Sequence, residues 1–581
     1  MVDQKQVNVE QIDSEKKPSI SKDGISAEKL FEELKEHSVA DFFKKNRQML
    51  GLYGKQRTLT TIVHELVTNS LDACEEAGIL PDIEVQISEI GEEYYEVSVS
   101  DNGPGIPEDK VGQALGKLLA GTKFHRLIQM RGQQGIGVSG IILFSQITTG
   151  KPTHIVSGTT NGKTYCLDIS IDSKTNSPKI YDKHYLDKKF RGLIVKAKFK
   201  EVQYKKGQIS VDEYLRRTAL ANPHASIKFT DPFGELTEYK RVVKELPSLA
   251  KEVKPHPKGV SVDELLTLAR YTDARKVSSF LMSTFDRFGT KAVEDVKNLI
   301  DFDINKDPKK LSWDEAEQLV NAIKKIKFIA PSTEGLVPIQ EKYIEKSLKE
   351  MVSPEFCFVY TRKPSVYKGG YAFQVEVGLA YGGNAGRLVS IDLSTFQKKP
   401  NNLDEKQSKE IRVAEIIRYA NKAPLLFDAG GCAITKTVSS VDWKRYGIQN
   451  FDTSPITLLV NIISVHIPYT SAGKTAIADE EEIVSEIKLA IMDVGRRLGV
   501  YLIQKKREAE KKEKRKVFAK YSPYVVEALV KVTNADAKLL QKNLDTMVLE
   551  KLKMEDEAEA RGEKVVEEEY MIEDKHIGDE E

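Results

Sequence analysis

The stretch HELVTNSLD at residues 64–72 has the pattern of a helix with one polar face. Four-residue spacing places Glu65 and Asn69 one above the other, and Asp72, three positions after Asn69, extends the same stripe and is a further candidate nucleotide-binding residue. Carboxylate and amide oxygens on one face can hold a hard cation and polarise water, and Mg²⁺ keeps several waters, so one protein ligand plus phosphate oxygens suffices. Taken alone, this spacing is more often an exposed polar stripe.

A second motif, DNGPGIP at residues 101–107, directly follows the predicted strand YYEVSVS. An acceptor such as Asp101 at a strand end, beside a glycine such as Gly105 that lets the backbone approach closely, can bind the exocyclic amine of adenine. By itself the motif is equally typical of an ordinary turn.

A third region is dense in glycine: GTK at 121–123, and GQQGIGVSG at 132–140 ahead of the apolar helix IILF. Such loops point backbone N–H groups and the positive end of a helix at phosphate, although the region alone could be only a flexible loop. The candidate phosphate-binding residues here are Thr122, Lys123, Gly132, Gln133, Gln134, Gly135, Ile136, Gly137, Val138 and Ser139.

The three motifs occur in a fixed order at spacings of about 30 residues, and together they resemble the N box, DxGxG box and GxxGxG box of the GHKL ATPase superfamily. The resemblance implies a Bergerat ATP-binding fold with ATP and Mg²⁺ as cofactors. It makes Glu65 the general base for the hydrolytic water, Asn69 the Mg²⁺ ligand and Asp101 the adenine acceptor, and it makes residues 132–140 the ATP lid.

Two other glycine-containing stretches are excluded as phosphate loops. GTTNGKT at 158–164 has only three residues between its glycines, whereas a P-loop needs four, and GKT at 473–475 lacks the upstream glycine. Related ATPases often carry a threonine beside adenine on a late strand. The nearest stretch here, at 192–194, reads GLI.

A fourth motif, HIPYTSAGK at residues 466–474, follows a predicted strand and precedes a long predicted helix. It resembles the transducer domain of the B subunits of type IIB topoisomerases. In that family a transducer lysine reaches the γ-phosphate, which makes Lys474 the second candidate catalytic residue. The family often has another lysine where His466 stands, and a surface lysine without a catalytic role is the alternative interpretation.

The chain divides into segments of different composition, and the predicted fold class is multidomain α+β. The patterns predict an α/β layer domain, a small helical domain, and a third unit of strands that ends in a long helix. By the family resemblance these are a Bergerat-type α/β sandwich, a helix-two-turns-helix domain, and a transducer with a β-sheet and a long C-terminal helix. The predicted boundaries are a flexible arm at 1–26, the ATPase domain at 27–250, the helical domain at 251–329, the transducer at 330–510, and a partner-contacting region with an acidic tail at 511–581.

Bulk properties restrict the location and partners. The chain has 88 basic and 87 acidic residues and a net charge of +1, so any DNA contact must come from local patches. It has no apolar run of about 18 residues and begins without an apolar secretory signal, which predicts a cytoplasmic protein and no membrane partner. The resemblance to topoisomerase B subunits further implies association with the nucleoid. Its four cysteines lack CxxC spacing, which argues against a structural zinc site.

The family resemblance implies an ATP-dependent DNA topoisomerase that dimerises on ATP and passes one duplex through a break in another. Since no second catalytic centre is evident, cleavage of double-stranded DNA would belong to an A subunit in an A2B2 heterotetramer, docked through the region that includes YSPYVVEALVKV. The alternative is a GHKL chaperone or mismatch-repair clamp. A histidine kinase is disfavoured because no helix with a phospho-accepting histidine precedes the motifs.

Overall fold

The computed structural model describes residues 39–120, 127–132, 136–160, 162–392, 408–471 and 473–550. The predicted arm at 1–26, the first residues of the predicted ATPase domain (27–38) and the tail at 551–581 lie outside these residues. The described chain opens with α1 (Val39–Lys45) and a 3₁₀ turn (Arg47–Leu50), which ends at Gly51 in the left-handed conformation.

The first domain is built on an eight-stranded mixed sheet, ordered β5-β4-β3-β6-β2-β1-β7-β8. Among the described residues, strands β1 and β7 of this sheet pair in parallel, and all its other neighbouring strands pair antiparallel. The strands are β1 (Asp82–Gly91), β2 (Tyr94–Asp101), β3 (Thr153–Gly158), β4 (Thr164–Asp172), β5 (Ser177–Leu186), β6 (Gly192–Lys200), β7 (Ser226–Thr230) and β8 (Leu236–Tyr239).

Helices cover one face of this sheet. They are α2 (Lys55–Glu76), α3 (Val111–Leu115), α4 (Gly137–Thr149) and α5 (Val211–Ala221). Strands β1 and β2 bury alternate residues, because period-2 strands present one face to the helices and the other to solvent. Helix α2 packs on β2 and β1, and α4 packs on β6, β4 and β3. The predicted α/β sandwich is confirmed.

A separate helical unit with its own hydrophobic core follows. It contains α6 (Val262–Tyr271), α7 (Val277–Thr284), α8 (Thr290–Lys297) and α9 (Trp313–Lys325). Ser261 caps α6 in a capping box with Glu264, in which each side chain satisfies a backbone N–H of the other residue. Ser312 and Glu315 form the same box at the start of α9.

The third unit contains a six-stranded sheet and a two-stranded ribbon. Its elements are α10 (Glu341–Val352), β9 (Phe356–Thr361), β10 (Ser365–Tyr367), β11 (Tyr371–Tyr381), β12 (Arg387–Asp392), β13 (Ser408–Val413), β14 (Glu415–Ala420), β15 (Ala423–Pro424), α11 (Ala433–Ser440), β16 (Ile456–Ser464) and α12 (Glu481–Thr533). Every residue of β16 is buried, since α10 packs on the sheet from one side and the start of α12 from the other.

Helix α12 is longer than the sequence pattern indicates. It runs through the charged stretch at 505–516 and continues through YSPYVV, with Pro523 inside the helix. Ser522 and Val526 are buried where residues 537–550 form a helix that folds back, and Gln541 donates to the Ser522 hydroxyl. Most of the projecting part is exposed. No helix among the described residues is both apolar enough and long enough to cross a bilayer.

The first and third units are in direct contact. The Tyr419 hydroxyl donates to the Arg217 carbonyl at 2.8 Å, and Arg216 forms an ion pair with Glu415 at 2.6 Å. Leu220 and Ala221 of α5 share a buried cluster with Ile344 of α10. The boundaries at 250/251, 329/330 and 510/511 stay predictions.

Candidate active site

A cavity of about 520 Å³ lies between α2, the end of β2, the start of α4 and the loop before α12. The predicted residues that line it are Glu65, Asn69, Asp101, Gly105, Gly132, Ile136, Gly137, Val138, Ser139 and Lys474. Three motifs that are far apart in sequence thus meet the transducer lysine at one concave site. Thr122, Lys123, Gln133, Gln134 and Gly135 lie outside the described residues.

Glu65 faces the first turn of α4. A Cβ atom added to Gly137 would lie 2.1 Å from Glu65 Oε2, so any other residue there would displace the carboxylate from this position. The predicted lid at 132–140 is corrected here, because residues 137–140 already form the first helical turn and Ile141 and Phe144 anchor it in the core. The N-terminal backbone of α4 therefore faces the cavity, where it can meet phosphate.

The amide of Asn69 has a fixed orientation. Its Nδ2 donates to the Glu65 carbonyl at 2.6 Å, one helical turn earlier. Its oxygen, Oδ1, is then the atom that a cation in the cavity would meet, and a Cβ at Gly132 would lie 4.0 Å from it. No cluster of three or more acidic, histidine or cysteine side chains in the described chain resembles a metal cage. A single amide oxygen suits Mg²⁺ that is held mainly by phosphate and water.

Asp101 is buried at the end of β2 and held by three donors. Ser70 Oγ donates to Oδ2 at 2.7 Å, while the N–H groups of Gly103 and Leu193 donate to Oδ1 at 2.9 and 3.2 Å. Burial raises the pKa of Asp101, and these hydrogen bonds partly offset the effect. The carboxylate is fixed in position and retains acceptor capacity toward the cavity.

Two glycines allow the backbone behind Asp101 to pack closely. Gly105 has φ +70°, and an added Cβ would lie 2.3 Å from the Gly158 carbonyl oxygen. Gly192 has φ +130°, and its Cβ would lie 1.9 Å from the Asp101 carbonyl oxygen. Gly158 begins the stretch GTTNGKT, which is not a P-loop. Its backbone instead forms part of the wall behind the cavity.

Asp72 does not line the cavity, which corrects its assignment to the nucleotide. Arg131 NH1 donates to its Oδ1 at 2.7 Å and Arg131 NH2 to Glu75 Oε1 at 2.6 Å. Burial alone would raise the pKa of Glu75, but Arg131 and His224 outweigh it and hold that pKa well below its usual range. Asp72 instead ties α2 to the short segment that precedes Gly132.

We expect Arg131→Met to be strongly destabilising, because it leaves Asp72 and Glu75 buried without their cation. Side chains of Arg131 and Asp72 are only 5% and 6% exposed, and breaking such a buried pair costs about 3–5 kcal/mol. Urea unfolding measures the change. The control is Lys251→Met, which breaks an exposed ion pair with Glu334 and should stay within about 0.5 kcal/mol of wild type. Equal losses in both variants would contradict the expectation.

Lys474 lies in a tight loop after β16. Its φ is +51°, and its N–H donates to the Ser471 carbonyl at 3.1 Å. The Lys474 side chain lies close enough to His64, at the start of the N-box motif, to affect its pKa. Burial lowers the pKa of His64, and the Lys474 ammonium lowers it further, whereas the Glu65 carboxylate raises it. His466 does not line the cavity. Its Nδ1 lies 2.6 Å from the Tyr367 hydroxyl, and its ring stacks on Tyr371.

The motifs did not reveal several lining residues, notably Ser70, Lys110, Gln113, Leu193 and Val195. Ser70 directly follows Asn69, so its place on α2 was a usable signal. Leu193 and Val195 alternate along β6 and give this late strand an apolar surface toward the cavity. No local sequence pattern identifies Lys110 or Gln113 as lining residues. Gln113 reaches the cavity from α3, and Lys110 reaches it from the position before that helix.

The fold and this cavity define an ATPase of the GHKL class. The family model described as histidine kinase-, DNA gyrase B- and HSP90-like ATPase matches residues 54–173. The model described as topoisomerase VI B subunit, transducer, matches residues 331–515.

Relatives that match over nearly their full length share one name, the B subunit of type 2 DNA topoisomerase 6. The chain is 44% identical to that protein of Pyrococcus horikoshii, over 92% of this chain and 100% of the relative. It is also 44% identical to that of Methanothermobacter thermautotrophicus, over 89% and 96% of the two chains. The chain belongs to this family of topoisomerase 6 B subunits, so its function is that of the ATPase component of an ATP-dependent type IIB DNA topoisomerase.

Proposed function

We propose that the chain binds Mg-ATP in the cavity, and that ATP binding closes two copies of the chain on each other. The observation that carries this proposal is the meeting of Glu65, Asn69, Asp101 and Lys474 at one cavity although they span more than 400 positions of sequence. Each has the chemistry that one part of the nucleotide requires. The cavity volume of about 520 Å³ is within the usual range for a small-molecule site.

Each residue has a distinct role in this proposal. Asp101 accepts a hydrogen bond from the adenine amine, and Asn69 Oδ1 binds the magnesium ion, which screens phosphate charge when present. The first turn of α4, with Gly137, directs backbone N–H groups at phosphate. Glu65 accepts the proton of the attacking water. Lys474 donates to the γ-phosphate and so reports its presence to the transducer.

Asp101→Asn tests the adenine role. The substitution keeps the size of the side chain but removes the charge that faces the adenine amine, so affinity for ATP should fall about ten- to a hundred-fold. Titration of ATP and GTP against wild type and variant measures the change, with a thermal unfolding curve to check folding. An unchanged affinity for ATP would exclude Asp101 as the adenine acceptor.

On this proposal, closure of the dimer drives passage of one DNA duplex through a double-strand break in another. The break is made by a separate A subunit in an A2B2 heterotetramer, and supercoils are relaxed.

The exposed apolar residues of the projecting helix support a partner contact at Phe518, Tyr521 and Tyr524. The basic stretch at 505–516 is the kind of local patch that binds duplex DNA, with affinity that falls steeply with salt. Such a protein would work at the nucleoid.

Size-exclusion chromatography tests the gate directly. With Mg²⁺ and a non-hydrolysable ATP analogue the chain should elute as a dimer, and with ADP as a monomer. Addition of an A subunit should then give ATP-dependent relaxation of supercoiled DNA. Closure without relaxation in the presence of the A subunit would instead favour the clamp or chaperone function.

A further inference from the structure

An ion pair joins the first turn of α2 to the transducer, close to Lys474. Arg57 donates from NH1 to Asp428 Oδ1 at 3.1 Å and from NH2 to Oδ2 at 2.9 Å, which is a two-point contact with fixed orientation. The guanidinium also packs between two aromatic rings, 4.0 Å from the centroid of Tyr53 and 4.4 Å from that of Phe427. The Arg57 side chain is only 13% exposed. Its geometry is therefore set by several neighbours rather than by one charge.

Asp428 belongs to the same structural unit as the Lys474 loop. It follows β15 with φ +51°, a conformation that aspartate tolerates better than most residues. Arg57 holds the pKa of Asp428 below its usual value, and Thr475, next to Lys474, is close enough to contribute. Just beyond Asp428, the Ala433 N–H donates to the Ile477 carbonyl at 3.0 Å. A displacement of Asp428 would therefore be transmitted to the loop.

On the other side, the Lys474 loop rests on the backbone that leads into α2. A Cβ built on Gly51 would lie 3.7 Å from the Gly473 Cα atom, so the two backbones approach closely with no side chain between them. A contact between carbon atoms has no preferred direction, so this contact alone does not fix the position of the loop relative to α2. A directional contact nearby is needed to define where Lys474 stands relative to Glu65, and Arg57, two helical turns before Glu65, supplies it.

We infer that Arg57 and Asp428 form a latch that positions the Lys474 loop against α2, and that the latch sets how well the site distinguishes a nucleoside triphosphate from a diphosphate. Arg57 and Asp428 are positioning residues on this inference, which rests on the proposed role of Lys474. Without the latch, part of the energy of the lysine contact with γ-phosphate is consumed in ordering the loop. Diphosphate binding involves no such contact.

The test compares Arg57→Ala, Asp428→Asn and the double variant with wild type. Calorimetry with Mg²⁺ measures the affinities for ADP and for a non-hydrolysable ATP analogue, and chromatography measures analogue-driven dimerisation. ADP affinity should change less than about two-fold, whereas the preference for the analogue should fall about ten-fold. The double variant should be no worse than Arg57→Ala alone, since that substitution already removes the contact with Asp428. Additive losses, or an unchanged preference, would overturn the inference.

Two further variants separate the possible causes. Arg216→Ala breaks a second ion pair across the same two units, at Glu415, and should leave the analogue preference unchanged; an equal loss there would attribute the effect to general loosening of the interface. Lys474→Ala should abolish the preference. If it does not, the proposed function of Lys474 fails. If it does while the latch variants behave as wild type, the latch inference alone fails.

Discussion

Glu65→Ala should bind ATP normally, lose turnover, and accumulate as the closed dimer. The three atoms nearest to a Cβ built on Gly137, at the start of α4, all belong to the Glu65 side chain, and removing a positioned general base costs about 10²–10⁴ in rate. The proposed adenine acceptor, Asp101, and the proposed cation ligand, Asn69, are left in place. Phosphate release measures kcat, and chromatography after addition of ATP measures closure.

The matched control is Glu76→Ala. Glu76 lines the same cavity from the same helix, but eleven residues further along, or about 16 Å along the axis. Its loss should change kcat by no more than a few-fold. Wild-type turnover in Glu65→Ala, or an equal loss in Glu76→Ala, would show that the base has been assigned to the wrong residue.

Lys474→Ala should uncouple closure from ATP. The variant should bind ADP as wild type does, fail to dimerise with the non-hydrolysable analogue, and lose about 10²–10³ in kcat, as when a donor to developing charge is removed. The control is Lys436→Ala, which removes an exposed lysine of the same unit that pairs with Asp479. A Lys474→Ala protein that still dimerises on the analogue would exclude the sensing role.

Local sequence patterns were enough to predict the elements that carry the motifs. The stripe of Glu65 and Asn69 follows from helical periodicity, and the stretch YYEVSVS identified strand β2, which places Asp101. Strand β5 was missed because it lies at the edge of the sheet and is exposed along most of its length, so it lacks alternating apolar residues. The alternation of apolar and polar residues identifies a strand only where one face of that strand is buried.

Contacts between distant residues account for the errors at the site. Helical spacing placed Asp72 on the stripe of Glu65 and Asn69, but it could not reveal that Arg131, 59 positions away, occupies the space opposite. Similarly, the glycine pattern at 132–140 indicated a phosphate site but not where the loop ends. Burial of Ile141 and Phe144 against the sheet sets the start of α4.

The 53-residue length of α12 has a geometric consequence for the transducer. At 1.5 Å per residue the helix is about 80 Å long, so a rotation of about 10° at its base sweeps its far end through about 14 Å. Its first residue stands seven positions after Lys474, so a short connection ties the base of the helix to a residue that lines the cavity. An angstrom-scale rearrangement there is magnified to a travel comparable with the width of the DNA major groove, about 12 Å.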